Sequence, residues 1–326
     1  MKYRKLRGTG LFVSPVSLGT MNIQSMPSDN DAIRLIHHAL DSGINIIDTA
    51  EVYCSSEELI GRALTPNKRD AVILVSKVFG RPSNHDLNSC GLNRKHICKA
   101  LDLSLSRLRT DYLDILYLHG MDESAPIDEA LTTMDSFVRA GKIRYYGISN
   151  FTAWQTVEIL WKCDQMGLIK PALSQNIYNL LTRDIESELI PCLIHFGIGL
   201  QAYNVLAGGF LTGKYSNGIP EDSRYFSNPS YVERYWNHAN RNAVRLLSDL
   251  AFSSGISLTE LSLRWCLGND AVSSAVIGVS SCQQLTDIVK IAELPCLPKS
   301  LVESCNTIWQ QLAGRRQFYG RYFKRI

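Results

Sequence analysis

The chain has no C-x-x-C pair among its 9 cysteines, which lie at 54, 90, 98, 163, 192, 266, 282, 296 and 305. That spacing excludes a zinc ribbon or a thioredoxin-type centre. An odd count in a chain without an export signal points to reduced thiols, mostly small buried side chains. Excess charge of one sign is also lacking. The net charge is +3 and 20% of residues are charged, which disfavours a nucleic-acid-binding or a disordered chain. No apolar run reaches the roughly 18 residues that a membrane helix needs. The opening MKYRKLRGTG is basic but lacks the apolar stretch of a signal peptide, so the expected location is cytoplasmic. Besides His119, the histidines at 37, 38, 85, 96, 195 and 238 form no ligand spacing, and no metal is expected.

What the sequence does have is a rhythm. Hydrophobic residues make up 45% of 326, enough for a sizeable core. After a short hairpin-like stretch, YRKLRGTGLFVSP (3–15), apolar runs alternate with helix-length segments. The runs are VSLG (16–19), INIIDT (44–49), AVILVSK (71–77), LDILYLH (113–119), IRYYGIS (143–149), ALSQNIY (172–178), IGLQAY (198–203) and SAVIGV (274–279). Nearly continuous apolar strands suit a parallel sheet covered on both faces. Eight such units in series predict a (β/α)8 barrel, an α/β fold, as one domain over 1–326. The alternative is a doubly wound open sheet. It would carry a glycine-rich first turn, but GTGLFV ends in Val13, so G-x-G-x-x-G fails.

Helices are predicted over 29–42 with Asp29 as N-cap, over 93–109, and over 126–141 from Pro126 to Gly141. In the second of these, Ile97, Leu101, Leu105 and Leu108 share one face. The stretch 204–236, after the seventh barrel strand, is long and irregular. It is expected to overhang the C-terminal mouth, where barrel active sites sit.

Strand ends supply the chemistry. The second strand ends in Asp48, with Tyr53 just beyond; the third ends in Lys77 and the fourth in His119. A barrel brings all four to one mouth. Singly, each has a plainer reading as a surface lysine, a turn-forming acid or a structural histidine. The segments DTAEVYCSSEELIG, LVSK, YLDILYLHGMD, GISN, SQNIYNLL and AYNVLAGGFLTGKY together resemble the aldo-keto reductase superfamily, in its branch similar to potassium-channel β subunits. The resemblance runs from about residue 3 to 290 and implies a (β/α)8 barrel that binds NADP(H) without a Rossmann fold. Reducing a carbonyl needs a hydride donor and an acid for the developing alkoxide. A phenol with a pKa of about 10 is a weak acid at neutral pH, and a nearby ammonium is expected to lower it. Hence Tyr53 is assigned as acid/base, Lys77 as its modulator, Asp48 as the partner orienting Lys77, and His119 as the group polarising the substrate oxygen. The resemblance implies the same four roles.

The resemblance further implies that Ser149, Asn150 and Gln175 hydrogen-bond the nicotinamide carboxamide, and that Tyr203 stacks on its ring, where geometry controls the rate. It places Gly19, Thr20, Met21 and Asp48 against the cofactor, and wraps its diphosphate with Asn204, Val205, Leu206, Gly208, Leu211 and Lys214. Ile277, Gly278, Ser280 and Gln284 fall at the adenine end. GGFLTGKY imitates a phosphate loop but has Tyr215 where Ser or Thr must stand, so a nucleotide hydrolase is disfavoured. The chain departs from the family at Ile288, where an Asn is usual, and at Ser280, which cannot pair with a 2′-phosphate as an arginine would. Arg224 is a candidate to compensate. NADP(H) is expected, with NAD(H) as the alternative cofactor.

Asn204 and Val205 replace a usual Ser-Pro, so a less rigid start to the loop is expected. Cys54 replaces a usual Gly. Two readings stay open there, a neutral substitution or an oxidisable thiol beside the phenol. Substrate candidates are Met21, Asn22, Phe79, Tyr225 and Trp236, with Phe226, Tyr231, Tyr235 and the C-terminal Phe318, Tyr319, Tyr322 and Phe323. Facing the pocket, such aromatics would favour a flat, sugar-like or specialised-metabolite carbonyl; local packing is the plainer reading. The expected partner is a small-molecule carbonyl compound, with no nucleic acid or membrane, and a homo-oligomer is compatible with the sequence. Two functions from other classes stay open: a nicotinamide-sensing regulatory subunit with little turnover, and a proton-transfer lyase or isomerase.

Overall fold

The computed structural model describes residues 1–53, 55–80, 86–216, 218–221 and 223–314; at 224 and 227 only the backbone is described. A two-stranded antiparallel hairpin, β1 (Arg4–Lys5) and β2 (Phe12–Val13), precedes the barrel. The barrel strands are β3 (Val16–Gly19), β4 (Ile46–Asp48), β5 (Ile73–Val78), β6 (Leu113–Leu118), β7 (Ile143–Ser149), β8 (Leu173–Ile177), β9 (Gly199–Tyr203) and β10 (Val272–Ile277). They pair in parallel in sequence order, and β10 closes on β3. All eight apolar runs are therefore strands, and the expected (β/α)8 barrel is the observed one.

Alternation along each strand sorts residues between two layers. Ile46, Ile73, Val75, Ile115, Tyr117 and Leu173 pack with the hairpin residues Leu6 and Val13 into a compact inner core. Ile47, Leu74, Leu116 and Ile148 belong instead to the larger layer beneath the helices. The hairpin thus plugs the N-terminal end of the barrel. Burying Leu6 and Val13 there contributes about 1.5–3 kcal/mol each. Extending the inner parity two residues onward along each strand leads from Ile46 to Asp48, from Val75 to Lys77 and from Tyr117 to His119. The strand period itself delivers three of the four singled-out residues to the inner rim of the C-terminal mouth.

The helices match expectation with small shifts. Helix Asp29–Asp41 is capped by Ser28, whose hydroxyl accepts from Asp31 N at 3.2 Å, and not by Asp29, which lies in the first turn. Serine here has extended backbone angles and a short acceptor, which the N-cap needs. Helix Arg94–Leu108 is capped by Asn93, and helix Ile127–Arg139 follows Pro126 and stops before Gly141, whose φ is 72°. Among the described residues no helix is long and apolar enough to cross a membrane.

Candidate functional site

At the mouth, Lys77 Nζ donates to Asp48 Oδ1 at 2.5 Å and to the Thr49 carbonyl at 2.8 Å. The same ammonium lies 4.9 Å from the centre of the Tyr53 ring, and the Tyr53 and His119 rings meet edge to face at 6.0 Å. Asp48 and Lys77 are buried. The four residues are brought together from three strand ends and one turn.

Burial dominates the electrostatics. It holds the Tyr53 phenol above its ordinary value; Lys77 pulls it down but does not overcome burial, and Asp48 adds a further upward push. The sequence-based expectation of a lowered Tyr53 is thus corrected: the dry mouth keeps the phenol loaded with its proton. Burial also disfavours the Lys77 ammonium, yet Asp48 and Tyr53 together outweigh it and raise Lys77. His119 is lowered to about 3, by burial first and by Lys77 second, so its imidazole is neutral at physiological pH.

Around this centre the expected cofactor residues divide. Gln175 Nε2 donates to Asp48 Oδ2 at 2.7 Å and to Gln201 Oε1 at 3.1 Å, while its own Oε1 has no hydrogen-bond partner among the described residues. Asn150 adopts a left-handed conformation, φ 65°. Its amide donates to the His119 carbonyl at 2.9 Å and to Ser149 Oγ at 3.2 Å, and its Oδ1 accepts from Tyr203 at 2.7 Å. Ser149 in turn donates to the Gln175 carbonyl. Ser149, Asn150, Gln175 and Tyr203 are therefore one bonded group at the rim. Gly19 ends β3 against Val276, whose Cγ1 a Cβ there would meet at 2.8 Å. Thr20 is fully buried and donates to the Asp48 carbonyl at 2.9 Å, so it supports Asp48 from within the fold; Met21 is exposed.

The segment after β9 forms a 3-10 stretch, Ala207–Thr212, with left-handed Gly208 and Gly209. Lys214 folds back over it: a Cβ on Gly209 would lie 2.8 Å from Lys214 Nζ. Val205 and Leu211 turn their side chains into the core, and Leu206 is half-buried, so these three can meet a ligand chiefly through the backbone. Asn204 does not loosen the loop as expected. Its Oδ1 accepts from Gly208 N and its Nδ2 reaches the Tyr235 hydroxyl, both at 2.8 Å. A side-chain amide here does by hydrogen bonding what a proline would do by covalent restraint.

Beyond β10, Ile277 is buried and Gly278 exposed. Ser280 N and Oγ both donate to Gln284 Oε1, at 2.9 and 3.1 Å, just before helix Cys282–Glu293. Ile288 on that helix is 4% exposed and packs in the outer core, so the position is apolar because it faces the barrel.

For most of the loop aromatics the structure favours the plainer reading, local packing. Tyr225 is fully buried and donates to the Ala207 carbonyl at 2.7 Å. With Phe210, Tyr215 and Trp236 it forms a cluster inside the loop, at ring separations between 4.5 and 6.5 Å. Trp236 is half-buried there, Tyr235 is buried and Phe226 points outward. Most of the loop's aromatics thus pack on one another; Tyr231 stacks beside Tyr225 at 5.6 Å and is also near enough to Tyr53 to act on its charge. Phe79 does sit at the mouth, its ring 3.8 Å from a Cβ built on Gly120, next to His119. Asn22 precedes the short 3-10 turn Ile23–Ser25 after β3. Cys54, the side chain of Arg224, and Phe318, Tyr319, Tyr322 and Phe323 lie outside the described residues. Sequence reasoning missed Gln201 and Tyr117, polar groups beneath Asp48, because strands that read as apolar conceal which face each polar residue takes. Among the described residues no group of three or more His, Cys, Asp or Glu is placed to hold a metal ion.

Comparison with known proteins agrees with this geometry. The Aldo/keto reductase family profile matches residues 15–310. A probable voltage-gated potassium channel subunit beta of Arabidopsis thaliana is 34% identical, over 98% of this chain and all of its own length. An uncharacterised oxidoreductase of Bacillus subtilis is 32% identical, over 96% of this chain and 98% of its own. The rat aflatoxin B1 aldehyde reductase member 2 is also 32% identical, over 93% and 87%. With a closed eight-stranded parallel barrel and a profile match over most of its length, this chain belongs to the aldo/keto reductase family of NAD(P)-dependent oxidoreductases.

Proposed function

We propose that the protein reduces an aldehyde or ketone to an alcohol, or catalyses the reverse, with NADP(H) as cofactor and Tyr53 as proton donor. The observation that carries the reading is the buried Lys77–Asp48 pair, with the ammonium 4.9 Å from the Tyr53 ring and that ring edge to face with His119. The nicotinamide supplies the hydride. The remaining work falls to side chains. His119, neutral, hydrogen-bonds the carbonyl oxygen and fixes its direction. Tyr53 gives its proton to that oxygen as negative charge develops, and Lys77 stabilises the phenolate left behind. Asp48 keeps Lys77 charged and in place. In the reverse direction the phenolate takes the proton back.

The residues present fit the cofactor. Gln175 Oε1, without a partner among the described residues, can accept from a carboxamide, with Ser149 and Asn150 beside it. Tyr203 ends β9 at the same rim. At the left-handed turn Gly208–Gly209 the overlying Lys214 ammonium supplies the cation a diphosphate requires, while the Gly208 and Gly209 N–H groups hold the turn itself through Asn204 Oδ1 and the Leu206 carbonyl. Ser280 stands just before a helix N-terminus and Gln284 lies in its first turn, where a 2′-phosphate is favoured. The narrower idea of a sugar-like or specialised-metabolite substrate leaned on loop aromatics that pack on one another, so the proposal stays with aldehydes and ketones.

Titration with NADPH and NADH by quenching of protein fluorescence, followed by a carbonyl screen, tests the reading. Tight NADPH binding with turnover supports it, and equal affinities make the cofactor use dual. The similarity to proteins named as probable potassium-channel β subunits favours a second reading, a nicotinamide-sensing subunit. Tight NADPH binding without turnover of any aldehyde or ketone would favour it.

A further inference from the structure

Below Asp48 the barrel interior is not purely apolar. The Tyr117 hydroxyl donates to Gln201 Oε1 at 2.9 Å, and Gln175 Nε2 donates to the same oxygen at 3.1 Å. Gln201 Nε2 donates to Ser17 Oγ at 3.2 Å. The Ser17 and Ser274 hydroxyl oxygens are 2.6 Å apart, and Ser274 Oγ donates to the Ser14 carbonyl at 2.8 Å. Tyr117, Gln201, Gln175, Ser17 and Ser274 are at most 3% exposed. Such a buried group is costly unless its polar atoms are paired, and here the bonds run in one column, with Gln175 Oε1 at its upper end left over among the described residues.

The column has a direction. The Tyr117 hydroxyl donates to the Gln201 oxygen, which turns the Gln201 amide nitrogen toward Ser17. The same oxygen also accepts from Gln175. The same Gln175 NH2 group meets Asp48 Oδ2 at 2.7 Å. Each Asp48 oxygen thus has its own donor, Gln175 on one side and Lys77 on the other, and the two together set the plane of the carboxylate.

We propose that Gln201 is a positioning residue for the reaction: acting through Gln175, it fixes the Asp48 carboxylate and so sets the field in which Tyr53 holds its proton. Tyr117 fixes Gln201 in turn. The proposal rests on the reading of Tyr53 as proton donor. With the Gln175 donation loosened, the Asp48 charge is less neutralised and acts more strongly on Tyr53, in the direction that raises its proton affinity.

The test is the pH profile of kcat/KM for carbonyl reduction in Gln201→Met, which keeps the side-chain length and removes both amide ends, and in Tyr117→Phe, which keeps the ring. The alkaline limb is expected to move upward by about half a pH unit or more in Gln201→Met, and by less in Tyr117→Phe, with kcat lowered. A profile that superimposes on that of the unaltered protein, or that moves downward, overturns the proposal, whatever the loss of stability; if Gln201→Met does not fold, Tyr117→Phe decides. If the unaltered protein turns over no carbonyl, the proton-donor reading fails separately. The link to Asp48 is then judged by urea unfolding of Gln201→Met and Asp48→Asn, singly and combined. A combined loss smaller than the sum supports the link, and additive losses overturn it.

Discussion

The Lys77 ammonium lies 2.5 Å from the Asp48 carboxylate, with side-chain exposures of 0% and 3%. Each charge is tolerated only because of the other. Lys77→Met or Asp48→Asn alone strands a buried partner, and the expected cost is about 3–5 kcal/mol of stability. The combined Lys77→Met/Asp48→Leu variant is expected to regain much of that stability while regaining no turnover. Urea unfolding beside a carbonyl reduction assay separates the two effects.

Tyr53→Phe removes one oxygen and leaves the ring against His119 and Lys77. Turnover is expected to fall by about 10²–10⁴-fold, with NADPH affinity changed little. Steady-state kinetics and fluorescence titration on the same preparation check it. Retained turnover would transfer the proton-donor role elsewhere.

His119 makes a statement about pH. Its folded value, about 3, lies below the ordinary histidine value of 6.5 that the unfolded chain has. Between those two values the unfolded state binds more protons than the folded state, so stability is lost as pH falls through that window and is complete above it. Thermal melts from pH 7 to 4 should show a decline that is shallower in His119→Asn. An equal slope in both proteins would place the acid sensitivity elsewhere. For the same reason, no limb in kcat/KM near pH 6.5 is expected from His119.

Gly147 on β7 lies against the Tyr117 ring: a Cβ there would stand 2.4 Å from one ring carbon and 2.8 Å from the Leu173 carbonyl. Gly147→Ala is expected to destabilise by about 1–3 kcal/mol through overpacking. Thermal and urea unfolding measure it directly.

The positions of Asp48, Tyr53, Lys77 and His119 were legible because they close or follow apolar runs, and a barrel needs nothing more than strand order to gather such ends. Strand order was legible for the same reason, with bounds shifted by a residue or two, as at β10, read over 274–279 and observed over Val272–Ile277. The cap at Ser28 was misplaced by one residue because Asp29 is an equally good capping side chain; the backbone turn decides between them. The burial of Tyr225 could not be read, since a loop aromatic has no periodicity to say which way it faces. The polar column was hidden for a related reason. Gln175 and Gln201 sit in runs whose other members are mostly apolar, and only the closed register shows that they face the same interior. The direction of Tyr53 was misjudged because a sequence shows a neighbouring lysine but not how dry the mouth is.

The seam between β3 and β10 has a consequence for how the molecule comes into being. Ala275 pairs with Val16, and Ser274 bonds to the Ser14 carbonyl across a separation of 260 residues. On the ribosome, the first barrel strand therefore waits for nearly the entire chain before its outer neighbour exists. Until then β3 and β9 are open edges able to recruit foreign strands. Closure of that seam is a late event, governed by the entropy of a very long loop. Lesions in β10 are accordingly expected to appear in the cell as aggregation of new chains, before any defect in chemistry can be observed.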